Sequence, residues 1–307
     1  MGLKAIWKEN NAYSKLLLTV GVVLVFTTLF TVLATALAAA VYGVSADQLP
    51  SMMNSLDNPT GIGIMKMVQA ASTLGAFIAP ALFLGFVFSD TPKEYLGLRV
   101  VARPSLLLLA AALTFFAVPV INALVSINEG IRLPSFLSTV EMNMREMEDR
   151  AAAITEAFMV MHSSADLLIN IFVIALLPAI GEELLFRGVL QRIFGDWSKN
   201  VHAGIWLAAF IFSAMHMQFY GFIPRMLLGA LFGYLYVWTG SLWVPIMGHF
   251  INNAAAVIVT YFYQNGMIQI NPDDLGTTVS DWPWVAGSSI LCGLLIRYFY
   301  NQRTVLQ

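Results

Sequence analysis

The sequence predicts an all-α fold: a polytopic membrane helix bundle of about eight transmembrane helices, with both termini in the cytoplasm. Three observations predict it. Of the 307 residues, 58% are hydrophobic and only 11% charged, against about 25% charged in a soluble domain. Apolar runs of membrane-spanning size recur from one end of the chain to the other. Basic residues gather in alternate connections between those runs, as the positive-inside rule requires. A net charge of -2 and the lack of any large basic patch argue against nucleic-acid binding. The single cysteine, Cys292, excludes an internal disulfide framework and a cysteine-rich zinc site.

The first run is Leu16 to Tyr42, behind Lys4, Lys8 and Lys15. Its Ala34–Ala40 stretch has the small residues of a signal-cleavage site, but the run far exceeds the about 7–15 residues of a signal core, so it reads as a retained helix. Ser45 to Gly63 is a polar loop without Lys or Arg. The second run, Met65 to Phe88, contains Pro80, which membrane helices tolerate when neighbours satisfy the freed carbonyl. Lys93, Arg99 and Arg103 precede the third run, Leu106 to Val125. Residues 127–162 form one long polar stretch. From Pro134 onward, Phe136, Val140, Met144, Met147, Ile154 and Phe158 recur at helical spacing, which predicts an amphipathic helix on the membrane surface or over the bundle.

The fourth run extends from Leu167 to Phe194, the fifth from His202 to His216 and the sixth from Gly221 to Trp238. In the sixth, Gly229 and Gly233 have the four-residue spacing that lets membrane helices approach closely. The seventh is Leu242 to Tyr263 and the eighth Trp284 to Tyr300, separated by a polar connection with Asp273, Asp274 and Asp281. Alternating eight spans from a cytoplasmic N-terminus puts Lys4, Lys8, Lys15, Lys93, Arg99, Arg103, Arg187, Arg192, Lys199, Arg297 and Arg303 inside. Lys66, Arg132, Arg145, Arg150 and Arg225 then fall outside, so 127–162 is extracytoplasmic. The protein is expected to be integral and multi-pass, in the plasma membrane if its source is a prokaryote.

Three polar pieces interrupt the apolar runs of the second half. Glu182, Glu183 and Arg187 lie on the fourth run, His216 ends the fifth, and His249 with Asn253 lies on the seventh. An ionisable group at a membrane-helix centre costs about 2.5–3.5 kcal/mol on insertion scales, so such groups are read as functional. Glu183 and Arg187 have the i, i+4 spacing of an intrahelical ion pair, and Glu182 points about 100° away from Glu183. His249 and Asn253 also share a helical face. A buried carboxylate can serve as base and then acid in peptide hydrolysis, with His and Asn as proton carriers and oxyanion donors. Glu183, His216 and His249 are the alternative set for a metal, zinc above all, although no H-E-x-x-H motif is present. Each piece also has a purely structural reading, as ion pair or interhelical hydrogen bond. Only their co-occurrence argues for a site, expected near mid-membrane and open toward the cytoplasm.

Taken together, Glu182-Glu183-x-x-x-Arg187, Phe212-x-x-x-His216 and His249-x-x-x-Asn253 resemble the motif series of the CPBP family. These are the CAAX proteases and bacteriocin-processing enzymes, also called the Abi family or type II CAAX prenyl endopeptidases. The resemblance implies an eight-helix intramembrane endopeptidase. It implies that Glu182 activates water with His216, that His249 and Asn253 form the oxyanion hole, and that Glu183 and Arg187 support the site. It also divides the chain into residues 1–163, with the N-terminal helices and the amphipathic segment, and 164–307, with the catalytic helices, in one bundle. Its substrates would be membrane-embedded or lipidated peptides or proteins, possible CAAX-type prenylated ones among them. No cofactor is favoured, and zinc is the alternative. Two other functions fit the same composition: a non-catalytic membrane scaffold or immunity protein of this fold, and a proton-coupled transporter.

Overall fold

The computed structural model describes residues 11–100, 102–269 and 276–302. Lys4, Lys8, Asp273, Asp274 and Arg303, which entered the topology argument, lie outside them. The described residues form an all-α bundle. Helix α1 is Ala12–Tyr42, α2 is Leu49–Asn54, α3 is Pro59–Phe88, α4 is Pro92–Tyr95, α5 is Pro104–Glu129 and α6 is Ser138–Met159. Helix α7 is Ser164–Ser198, α8 is Val201–Met215, α9 is Phe222–Thr239, α10 is Trp243–Gln264 and α11 is Trp282–Asn301.

All eight apolar runs are helices. Six of them (α1, α3, α5, α7, α9 and α10) are long and apolar enough to cross a membrane. Helix α8 has 15 residues and is short for a span, while the 20 residues of α11 carry polar and aromatic groups at both ends. The supposed loop Ser45 to Gly63 contains α2 and the start of α3. Asn58 caps α3 by accepting from the Thr60 and Gly61 amides, and Pro59 fills the first helical position, where its missing N–H is harmless.

Proline shapes two of the spans. A turn of π-helix, Leu74–Ile78, precedes Pro80 in α3, and another, Ile171–Leu176, precedes Pro178 in α7. Proline has no N–H for the carbonyl four residues back and its ring crowds that carbonyl, so the helix widens there. A second π turn in α7, Phe186–Leu190, carries Arg187.

Two faces of the bundle are tied by different contacts. On one, the Leu242 amide and Ser241 hydroxyl donate to the Gly97 and Val100 carbonyls, and Arg192 Nη2 donates to Tyr236 Oη (2.9 Å). On the other, Asn128 at the end of α5 donates to the Phe219 and Tyr220 carbonyls, and Asn265 after α10 donates to Met161 O. The amphipathic helix α6 belongs to this second face. Glu148 accepts from the Tyr220 amide (2.8 Å) and the Arg145 guanidinium lies 4.4 Å from the Tyr220 ring centroid. Its Phe158 is buried, whereas Val140, Met147 and Phe136 just before the helix are exposed.

Helices α8 and α9 pack through the two glycines. A Cβ at Gly229 would meet Ala209 Cβ at 3.3 Å, and one at Gly233 would meet Ile205 Cγ2 at 2.8 Å. The close approach expected from their spacing is therefore present.

Candidate active site

Helix α7 presents Glu182, Glu183 and Arg187, and they part company. Glu183 and Arg187 are fully buried and pair at 2.8 Å. Arg187 also donates to Gly229 O on α9 (2.8 Å), and its guanidinium lies 5.1 and 5.6 Å from the Phe212 and Phe232 ring centroids. Gly229 matters here twice: it lends its carbonyl, and its lack of a side chain lets α8 come close. Glu182, one helical step away, lines a cavity of about 480 Å³.

His249 on α10 joins the two carboxylates. Its Nδ1 lies 2.9 Å from Glu183 Oε1 and its Nε2 3.8 Å from Glu182 Oε2. The ring stacks on Phe232 at 5.3 Å. With Nδ1 donating to the Arg187-paired carboxylate, the imidazole is oriented as carboxylate-backed histidines are elsewhere. Its Nε2 side is then the one that meets the cavity. His216 terminates α8, and its Nδ1 lies 2.8 Å from Phe212 O. A carbonyl only accepts, so that nitrogen carries the hydrogen and Nε2 is left as an acceptor.

Asn253 reaches the broken turn of α7. Its Nδ2 donates to Ile174 O at 3.2 Å, and its Oδ1 accepts from Asn252 Nδ2 at 3.2 Å. Ile174 is the residue four before Pro178, so its carbonyl is one that proline cannot serve. The proline thus creates a vacant acceptor, and the carboxamide one helix away fills it.

Glu182, His216, His249 and Asn253 all line the one cavity, while Glu183 and Arg187 lie behind it. The cavity is walled on one side by Thr155 and Met159 of α6 and by Gln218 and Gly221 of the α8–α9 turn. That is the face opposite the α7–α8 turn with Lys199. These walls lie at the end of α8 that carries His216, not at the end beside Lys199. Sequence reasoning missed Arg225, Asn252 and the α6 residues as cavity walls. Arg225 had been counted only as a topology charge, although a guanidinium in the first turns of an apolar helix was itself a signal.

Among the described residues, no three His, Cys, Asp or Glu side chains gather to hold an ion. Glu183 Oε1 is already shared by Arg187 and His249.

With this geometry in view, residues 164–255 match the family described as Type II CAAX prenyl endopeptidase Rce1-like. A CAAX-protease family domain is recognised over part of this chain. Every motif residue named above falls in it. The match takes in α7, α8, α9 and the start of α10, the helices that build the cavity with α5 and α6. The chain is also 40% identical over 89 residues to an uncharacterised Bacillus subtilis (strain 168) protein, YpbD. That match covers 28% of this chain and 42% of YpbD, less than half of that relative's length. No solved structure matches. The recognised domain and the buried His249–Glu183–Glu182 cluster together support a protease-like catalytic site in a multi-pass membrane protein.

Proposed function

We propose that this protein is an intramembrane endopeptidase that hydrolyses peptide bonds of membrane-embedded or lipidated substrates. The observation that carries the reading is the division of the carboxylate pair. Glu183 is neutralised by Arg187 and held by His249, while Glu182 is left to the cavity that His216, His249 and Asn253 also line.

In this reading Glu182 takes a proton from water, and His216 Nε2 accepts the water's other hydrogen to orient it. The hydroxide adds to the carbonyl carbon. The oxyanion receives hydrogen bonds from the second hydrogen of Asn253 Nδ2 and from His249 Nε2. Because the Nδ1 hydrogen of His249 is committed to Glu183, donation from Nε2 requires the imidazolium. The C–N bond then breaks and Glu182 returns its proton to the leaving amine. Glu183 and Arg187 position His249 and do not meet the substrate. Residues 164–307 supply this chemistry and 1–163 the rest of the bundle. The glutamate mechanism is favoured over a zinc one on the donor set alone.

Eight spans with both termini cytoplasmic remain the orientation we propose. The cavity then faces the extracytoplasmic side, and substrates arrive from there or sideways through the bilayer.

The test is cleavage by purified protein in liposomes, on a panel of membrane-embedded and prenylated peptides, with and without a chelator. Glu182→Ala and His249→Ala are expected to abolish cleavage, and the chelator to leave it intact. Loss with chelator and recovery with zinc would move Glu183, His216 and His249 to metal ligation. Full activity of Glu182→Ala would sink the peptidase reading, and a wild type silent on the whole panel would favour the scaffold.

A further inference from the structure

Asn252 and Asn253 are neighbours on α10, and their side chains are bonded to each other: Asn252 Nδ2 donates to Asn253 Oδ1 at 3.2 Å. Residues one step apart on a helix diverge by about 100° and do not face one another. The bond is therefore not a by-product of helical spacing; both carboxamides have turned toward it. Asn252 also stands in a particular place. With Ile121 and Ala256 it lines both the cavity that holds Glu182 and a second, apolar cavity of about 720 Å³ between α5, α10 and α11. Ile121 and Ala256 have no polar side-chain atom, so within this shared wall only Asn252 can bond the Asn253 side chain.

The contact matters because a carboxamide has two unlike ends. The terminal torsion of Asn is roughly two-fold, so the group can present either N–H or C=O to the cavity. Only the N–H serves a developing oxyanion, and an oxygen in its place would repel it. Two contacts hold the useful orientation from opposite ends. Ile174 O, which Pro178 leaves vacant, accepts from Asn253 Nδ2 at 3.2 Å. A backbone carbonyl can only accept, so it selects the orientation. Asn252 then holds it, by occupying the oxygen at the other end. One hydrogen of Nδ2 is spent on Ile174 O, and the second remains for the substrate.

We propose that Asn252 is a positioning residue: by holding Asn253 Oδ1 it keeps the Asn253 amide turned with Nδ2 toward the oxyanion. This rests on the peptidase reading. Asn252 acts through Asn253 and does not touch the reacting atoms. No covalent step is added.

The experiment uses the full-length protein in liposomes, with chelator present throughout. Its ligands are one N-acylated apolar peptide and the same peptide with a phosphonamidate in place of one amide, a tetrahedral anion that copies the oxyanion. Cleavage and equilibrium binding are both measured. Asn252→Leu keeps the size of the side chain and removes its hydrogen bonds. It is expected to lower kcat about tenfold with KM unchanged, equivalent to about 1.4 kcal/mol and at the upper end of what one neutral hydrogen bond contributes. It should weaken phosphonamidate binding by the same factor and leave the affinity for the parent peptide as it was. Asn252→Gln retains the N–H donor and is expected to recover part of the loss. In an Asn253→Ala background Asn252→Leu should have no further effect, because the group it holds is gone. A loss that persists in that background is what a simple wall residue gives, and it overturns the proposal. So does a raised KM with kcat unchanged, or wild-type kcat in Asn252→Leu. Tighter binding of the phosphonamidate that depends on Asn252, without any cleavage, keeps the positioning role and counts against the peptidase reading. Equal binding of the two ligands by a wild type that does cleave overturns the positioning role alone.

Discussion

Removing Arg187 should expose how the site is held together. Arg187→Met keeps an unbranched apolar side chain between Phe212 and Phe232 but deletes the guanidinium that pairs with Glu183 at 2.8 Å and holds Gly229 O at 2.8 Å. Both partners are fully buried, so Glu183 loses its guanidinium and keeps only His249 as a partner. Breaking a buried pair in this way costs about 3–5 kcal/mol. At about 2–4 °C per kcal/mol, the midpoint of thermal unfolding should fall by about 6–20 °C. Unfolding can be followed in detergent by the fluorescence of the seven tryptophans. Glu183→Gln combined with Arg187→Met removes both charges and keeps a side-chain oxygen for His249 Nδ1. The double variant should therefore be more stable than the sum of the single losses predicts, by about 0.5–3 kcal/mol. Glu182→Gln keeps the side chain's shape and breaks no contact closer than the 3.8 Å to His249, so its midpoint should fall by less than that of Arg187→Met. Strict additivity in the Glu183/Arg187 cycle would refute the reasoning, as would an Arg187→Met midpoint equal to that of the wild type.

Three further outcomes are expected. Asn253→Asp keeps the shape but removes the amide donor, so kcat should drop about 10²–10³-fold in the liposome assay, as when one oxyanion donor is lost; an unchanged kcat removes Asn253 from the mechanism. Gly233→Leu drives a Cβ to 2.7 Å from Gln191 Oε1 and 2.8 Å from Ile205, and should destabilise the α8–α9 contact by about 1–3 kcal/mol, read as a lower unfolding midpoint. In a Cys292→Ser background, Asp149→Cys on α6 should react with an impermeant maleimide on intact cells and Lys199→Cys only after permeabilisation. The opposite pattern reverses the orientation and turns the cavity to the cytoplasm.

Much of this was legible in sequence because a membrane simplifies the code. Helices are nearly forced where backbone groups have no water to bond, so eight apolar runs gave eight helices. The i, i+4 rule foresaw the Glu183–Arg187 pair and the shared face of His249 and Asn253. What it could not give was what lies opposite a side chain. Nothing in the spacing says that Asn253 meets Ile174 O, because that contact depends on how α10 crosses α7 at the proline-widened turn. Arg225 was misjudged for a related reason. Charge counting treats a helix-end arginine as a marker of sidedness, whereas burial against Gly221 and Gln218 makes it part of a wall. The early start of α3 was readable in the Asn58-Pro59 cap and was missed because the loop around it is polar.

The two adjacent glutamates show why a membrane site needs more polar residues than its chemistry uses. A lone carboxylate for water activation would sit in a low-dielectric wall with nothing to fix the groups around it. Here Glu183 carries the structural burden: it absorbs the Arg187 charge and aligns His249. Glu182 is thereby released from pairing, and the far nitrogen of the same imidazole stands 3.8 Å from it, too long for a hydrogen bond. That gap separates a carboxylate available to water from one consumed by an ion pair. The consequence is an ordering of effects. Changes at Glu183 or Arg187 must act on stability and on activity together, because they move His249, while changes at Glu182 act on activity alone. A scaffold that merely kept the motif for packing would show no such separation, since all of its polar residues would answer to stability.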